Sequence, residues 1–157
     1  MVCTALLDGS RLDLYLDLDV GLEVDLWEAL VLYQQAADAG HAGAQCRIGT
    51  ARLLGQGLPV DHMLAVRFLS LAAQQQHPEA QNNLAVCYVR GQGVSKDLAA
   101  AEELFAEAAR VGCVAAAHNY GRMLVDGTAS QKNVEEGQEL LSYAAEHLDR
   151  VGLGIQL

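Results

Sequence analysis

Aromatic side chains make up only 5% of a chain that is 52% hydrophobic. That combination excludes an aromatic-rich sheet core and points to a helical core of small residues. Bases are scarce too: 10 Lys and Arg stand against 20 Asp and Glu, a net charge of −10. With no basic patch to neutralise phosphates and no aromatic row to stack bases, a nucleic-acid partner is not expected. Long apolar runs are missing. The longest stretches, around 29–33 and 111–117, fall far short of the ~20 residues that cross a bilayer, so no membrane partner is expected. The start lacks a basic region followed by a sustained apolar run, so no secretory signal is expected and the expected compartment is the cytoplasm. The cysteines (Cys3, Cys46, Cys87, Cys113) form no framework and read as small buried apolar residues in a reducing compartment. No nucleophile elbow, phosphate loop or paired-histidine zinc motif occurs, and the histidines have no sequence-local acid or nucleophile beside them. The chain is therefore expected to be non-catalytic, with no cofactor.

What is present is repetition. Ala36-Ala37, Ala72-Ala73, Ala108-Ala109 and Ala144-Ala145 sit 36 positions apart with no insertion. Gly55, Gly91 and Gly127 share this register, as do Tyr33, Leu69, Phe105 and Leu141, and Asp25, Asp61, Asp97 and Asn133. Self-similarity at such a period marks a solenoid. The expected organisation is one repeat domain over 1–157: a degenerate N-terminal capping repeat (1–43), repeats at 44–79, 80–115 and 116–151, and a tail (152–157).

Each unit divides into two helices. Ala65, Phe68, Leu69, Ala72 and Ala73 fall at i, i+3, i+4, i+7 and i+8, one helical stripe that recurs at Ala101–Ala109 and Ala29–Ala37. Asp61, Asp97 and Asn133 are start signals, because their side chains accept from free amides at a helix start. Asp25 with Glu28 and Asn133 with Glu136 have capping-box spacing. Gly40 and Gly112 are stop signals; Gln76 and Leu148 replace them elsewhere. The first helix of each unit carries Ala44, Ile48 and Ala51, then Ala80, Leu84 and Cys87, then Ala116, Tyr120 and Met123. Gly49, Ala85 and Gly121 allow close helix approach. Gly55-Gln56-Gly57 and Gly91-Gln92-Gly93 supply the turns, and Ala129 replaces the second glycine in the last unit. Neither helix hides its stripe alone, so the pairs stack.

The pattern Ala80, Leu84-Ala85, Tyr88, Gly91-x-Gly93-Val94, Asp97, then Ala101, Ala108-Ala109 and Gly112 resembles the Sel-one-like repeat (SLR) family, a relative of the tetratricopeptide repeat. Ala44–Ala73 fits nearly as well, Leu22–Gly40 fits as half a unit, and Ala116–Ala145 is a weaker copy. The resemblance implies an all-α, right-handed α-solenoid of antiparallel helix pairs, about four repeats long. It also implies a scaffold that binds a peptide or protein on its concave face, lined by the first helix of each unit. Some secreted members of the family carry a cysteine pair in each unit; this chain has none.

By register, the concave positions include Cys46, Thr50, Leu53 and Leu54, then Asn82, Val86, Val89 and Arg90, then His118, Arg122, Val125 and Asp126. The partner-binding set is Thr50, Leu53, Asn82, Val86, Arg90, His118, Arg122 and Asp126. Arg90, His118, Arg122 and Asn82 would form a partly cationic groove suited to a carboxylate-bearing segment. No metal site is expected. His41, His77 and Cys113 share a column, but equivalent positions in stacked pairs are separated by about the width of two helices, with neighbouring axes ~8–10 Å apart. Zinc ligands must lie within a few ångströms of each other.

An immunity-type inhibitor that binds a cognate toxin is the alternative, since short standalone repeat proteins resembling this one serve that role. An enzyme with a site assembled across repeats is a weaker third. Two terminal features stay open. Leu12, Leu14, Leu16 and Leu18 alternate with Asp13, Tyr15, Asp17 and Asp19, which is strand periodicity, while the register asks for a capping helix there. Residues 1–30 also carry net −6, enough to steer a basic partner or to solubilise the end. The tail either covers the last helix pair or shows that the chain is cut from something longer. An uncapped end would expose an apolar face and favour a homo-oligomer.

Overall fold

The computed structural model describes residues 26–147. Within them lie seven α-helices and no strand: α1 (Leu26–Asp38), α2 (Ala42–Leu54), α3 (His62–Gln74), α4 (Pro78–Arg90), α5 (Leu98–Arg110), α6 (Val114–Asp126) and α7 (Val134–His147). The leucine-alternating stretch, the start signal expected at Asp25 and the expected tail lie outside the described residues, as does Cys3.

The repeat writes its caps into the backbone. Asp61 Oδ1 accepts from the Leu64 amide at 2.9 Å, and Asp97 Oδ1 accepts from Ala99 and Ala100 at 3.0 Å each. Asn133 accepts from the Glu136 amide at 3.2 Å and donates its own amide to the Glu136 carboxylate at 2.9 Å. His41 caps α2 through Nδ1, at 3.4 Å from the Ala44 nitrogen. Each pairing satisfies a donor that the first helical turn leaves without an intrahelical partner. At the far ends, Gly55, Gly91 and Gly127 close α2, α4 and α6 in the left-handed region.

Consecutive helices pack on one another, and each unit's two helices form the tightest pairs, α2 with α3, α4 with α5 and α6 with α7. The first alanine of every pair is buried: Ala36, Ala72, Ala108 and Ala144. Tyr33, Leu69 and Phe105 fill the adjoining column and are buried in three successive core clusters. Full burial of one such side chain contributes roughly 1.5–3 kcal/mol, so this column is a principal stabiliser of each pair.

Two close approaches set the stacking. A Cβ on Gly93 would collide with the His62 carbonyl, so the turn after α4 lies directly on the start of α3 in the preceding unit. In α6 and α7, Gly121 and Gly137 face one another: a Cβ on either would come within 2.9 or 2.8 Å of the other's carbonyl oxygen. The turn after α6, where Ala129 replaces a glycine, is held differently. The Glu102 carboxylate reaches over from α5 and accepts from the Ser130 amide at 2.7 Å and its hydroxyl at 2.9 Å.

Candidate functional site

The first helices of successive units, α2, α4 and α6, lie near enough to touch directly, with α4 contacting both of the others. A chain of side-chain hydrogen bonds crosses all three. Asn119 of α6 donates to Asn82 of α4 at 2.9 Å, Asn82 donates to Asn83 at 3.0 Å, and Asn83 donates to the Thr50 hydroxyl of α2 at 2.9 Å. Asn82 and Asn119 are 1% and 0% exposed, so these bonds form out of water, where leaving an amide unsatisfied costs about 1–3 kcal/mol.

This packing corrects part of the expected groove. Leu53, Asn82 and Val86, expected on the binding face, are buried, and so is Cys46. The cause is α4's central position. Every residue from Ala80 to Cys87 is buried, because α4 packs against α3 and α5 and also touches α2 and α6. The apolar stripe accounted for the partner helix of the same unit. It did not account for first helices closing on each other.

The other expected positions stay at or near the surface. Thr50 and His118 are half-buried, while Arg90, Arg122 and Asp126 are exposed. Arg122 and Asp126 approach to 3.9 Å across one helical turn. His118 sits one turn before Arg122, and burial first, then the neighbouring guanidinium, pull its imidazole below the usual histidine range. Arg122 thus neighbours a histidine that favours its neutral form. The buried amide chain was missed because Asn82 and Thr50 were assigned to open surface, and Asn83 and Asn119 carried no signal in the register.

The thiols are held in their neutral forms. Burial pushes Cys46 up to about 12 and Cys87 up to about 11, and it raises Cys113 as well. All three are free of disulfides. No helix of the described residues is long and apolar enough to cross a membrane.

The family model described as Sel1 repeat matches four segments of the chain, residues 9–41, 42–77, 78–113 and 114–147. Two solved structures are similar. One is a protective antigen present in uropathogenic Escherichia coli strains, displaying an SLR fold; it is 31% identical with a TM-score of 0.72, over 79% of this chain and 27% of that one. The other is a Sel1 repeat protein from Oxalobacter formigenes, 32% identical with a TM-score of 0.72, over 78% of this chain and 36% of that one. The chain therefore spans well under half the length of either solved relative. No curated protein matches the chain.

Proposed function

Since the chain belongs to the Sel1 repeat family, we propose that it is a non-catalytic adaptor that grips a carboxylate-bearing peptide or protein segment along α4 and α6. Repeats of this family are generally protein–protein interaction modules, and the all-α solenoid is their shared architecture. The observation that carries the finer reading is the fate of the first-helix face. The buried amide chain clamps α2, α4 and α6 together, and the side chains left outside include Arg90 and Arg122, with His118 half-buried between turns.

Arg90 and Arg122 are exposed on a chain of net charge −10. The Arg122–Asp126 pair lies at the surface. Both side chains are about half exposed, and such pairs contribute only about 0–1 kcal/mol. Arginine's planar fork suits carboxylates in two-point contact. The reduced face favours a short contact at the ends of α4 and α6 over a long peptide lying in a continuous trough.

The test pans a displayed random-peptide library on the wild-type chain and on the Arg90→Glu, Arg122→Glu double variant. The wild type enriches peptides rich in Asp and Glu. The double variant loses that enrichment at least ~10-fold, about 1.4 kcal/mol, while keeping its helical circular dichroism. Equal enrichment by both proteins counts against this face.

A further inference from the structure

Cys46, His77 and Glu79 are not equivalent positions in the repeat, so no shared column announces them. Cys46 lies in the second turn of α2, His77 immediately precedes α4 without a side-chain capping bond, and Glu79 is the second residue of α4. The turn before α4 stacks on the turn before α2 and brings them together. Gln75 locks that stacking, donating to the Gly40 carbonyl at 3.0 Å and to the Gln45 side chain at 2.9 Å. One donor atom from each residue, the Cys46 sulfur, a His77 ring nitrogen and a Glu79 carboxylate oxygen, lies within 4.8 Å of the other two. We propose that these three side chains form a binding site for a zinc-class divalent ion, with a fourth position open to water.

The donor set selects the ion. A soft thiolate beside an imidazole suits zinc and disfavours magnesium or calcium, which take all-oxygen shells. Bonds of ~2.0–2.3 Å in a tetrahedron put neighbouring donors ~3.3–3.8 Å apart, so the observed cluster closes on an ion with small side-chain rotations. Charge balances as well: a thiolate and a carboxylate together neutralise a dication. Cys46 is 2% exposed, whereas Glu79 is exposed and His77 half-buried, so the ion enters from the Glu79 side and water completes the shell there. His77 also lines an open cleft with His41, Gly40, Gly43 and Gln75.

The surroundings hold the sulfur in place. The Thr50 hydroxyl is hydrogen-bonded to the Cys46 thiol and also accepts from Asn83, so the amide chain across α6, α4 and α2 ends at this thiol. Outer partners of this kind fix the direction of a ligand. A nucleophilic role fits less well. A reactive cysteine needs a depressed pKa, whereas burial raises that of Cys46. A metal ion instead displaces the thiol proton, which passes to the buffer. The expectation of no metal rested on equivalent residues being too far apart, and that spacing does not constrain this mixed set.

The test uses the full, reduced chain titrated with Zn²⁺ by calorimetry and with Co²⁺ by absorption. The expected result is one zinc per chain, heat that varies with the buffer's ionisation enthalpy as the thiol proton is released, and a thiolate-to-cobalt charge-transfer band. Cys46→Ser abolishes the band. Glu79→Ala, a surface change that leaves the fold intact, keeps the band and weakens zinc binding roughly tenfold or more. Absence of stoichiometric zinc binding overturns the site, as does a band that survives Cys46→Ser or an unchanged affinity in Glu79→Ala.

Discussion

Gln76 has a φ of 60°, the only described non-glycine residue in the left-handed region. It occupies the column of Gly40 and Gly112, whose φ values are 93° and 90°. The turn between units thus demands this conformation whatever residue is present. A side chain there costs roughly 1–2 kcal/mol, partly offset because glycine loses more freedom on folding. Gln76→Gly is therefore expected to stabilise the chain by ~0.5–1 kcal/mol, read as a higher denaturant midpoint with an unchanged slope. Gly40 and Gly112 were legible as stop signals, and Asp61, Asp97 and Asn133 as start signals, because capping acts within a few residues of chain. The burial of Asn82 was not legible. An amide reads as surface until its partner is known, and that partner, Asn119, comes from the next unit.

Helix spacing is governed by the smallest side chains. Gly121 and Gly137 let the α6 and α7 backbones meet, with Leu140 and Leu141 packed against the gap. Alanine at either position would gain about 1 kcal/mol of helix propensity. It would also drive a methyl group into a carbonyl, and overpacking of this kind costs typically about 1–3 kcal/mol. Gly121→Ala and Gly137→Ala are each expected to lower stability, and the double variant to lose less than the sum, because the first substitution already forces the helices apart. Chemical denaturation of the four proteins checks this; a gain in either single variant would show that α6 and α7 separate freely. Gly121 was recognised in the sequence as a close-approach residue. Gly137 was not, since its own helix offers no clue to what it faces. For the same reason the α4 surface was overestimated: periodicity shows which side of a helix is apolar, but not how many neighbours surround it.

Across the whole molecule, neutral thiols are distributed through the stack. Cys46, Cys87 and Cys113 all have their pKa raised by burial, and Tyr120 moves the same way through burial and the nearby Glu136 and Glu102. For a group whose folded pKa lies above its unfolded value, the contribution to stability is complete below the unfolded pKa. It is lost as pH rises towards the folded one. The metal-free, reduced chain should therefore lose stability from about pH 9 upward, most steeply before the folded thiols ionise. Denaturant midpoints across that range check the slope. Replacing Cys87 with alanine lowers stability at neutral pH but flattens the alkaline decline; an undiminished decline would assign it to other groups.

The amino-acid order by itself determined the unit length, the alternation of caps and turns, the all-α class and the single-file stacking. Each of these follows from contacts within one helix or between helices adjacent in the chain, and those contacts recur every 36 residues. Only the tertiary structure decided which polar residues are buried, how little of α4 remains open, and that Cys46, His77 and Glu79 converge. Those outcomes depend on the offset between neighbouring units, which juxtaposes residues from different columns. That offset is a property of helix packing between units and has no signature in the repeat itself.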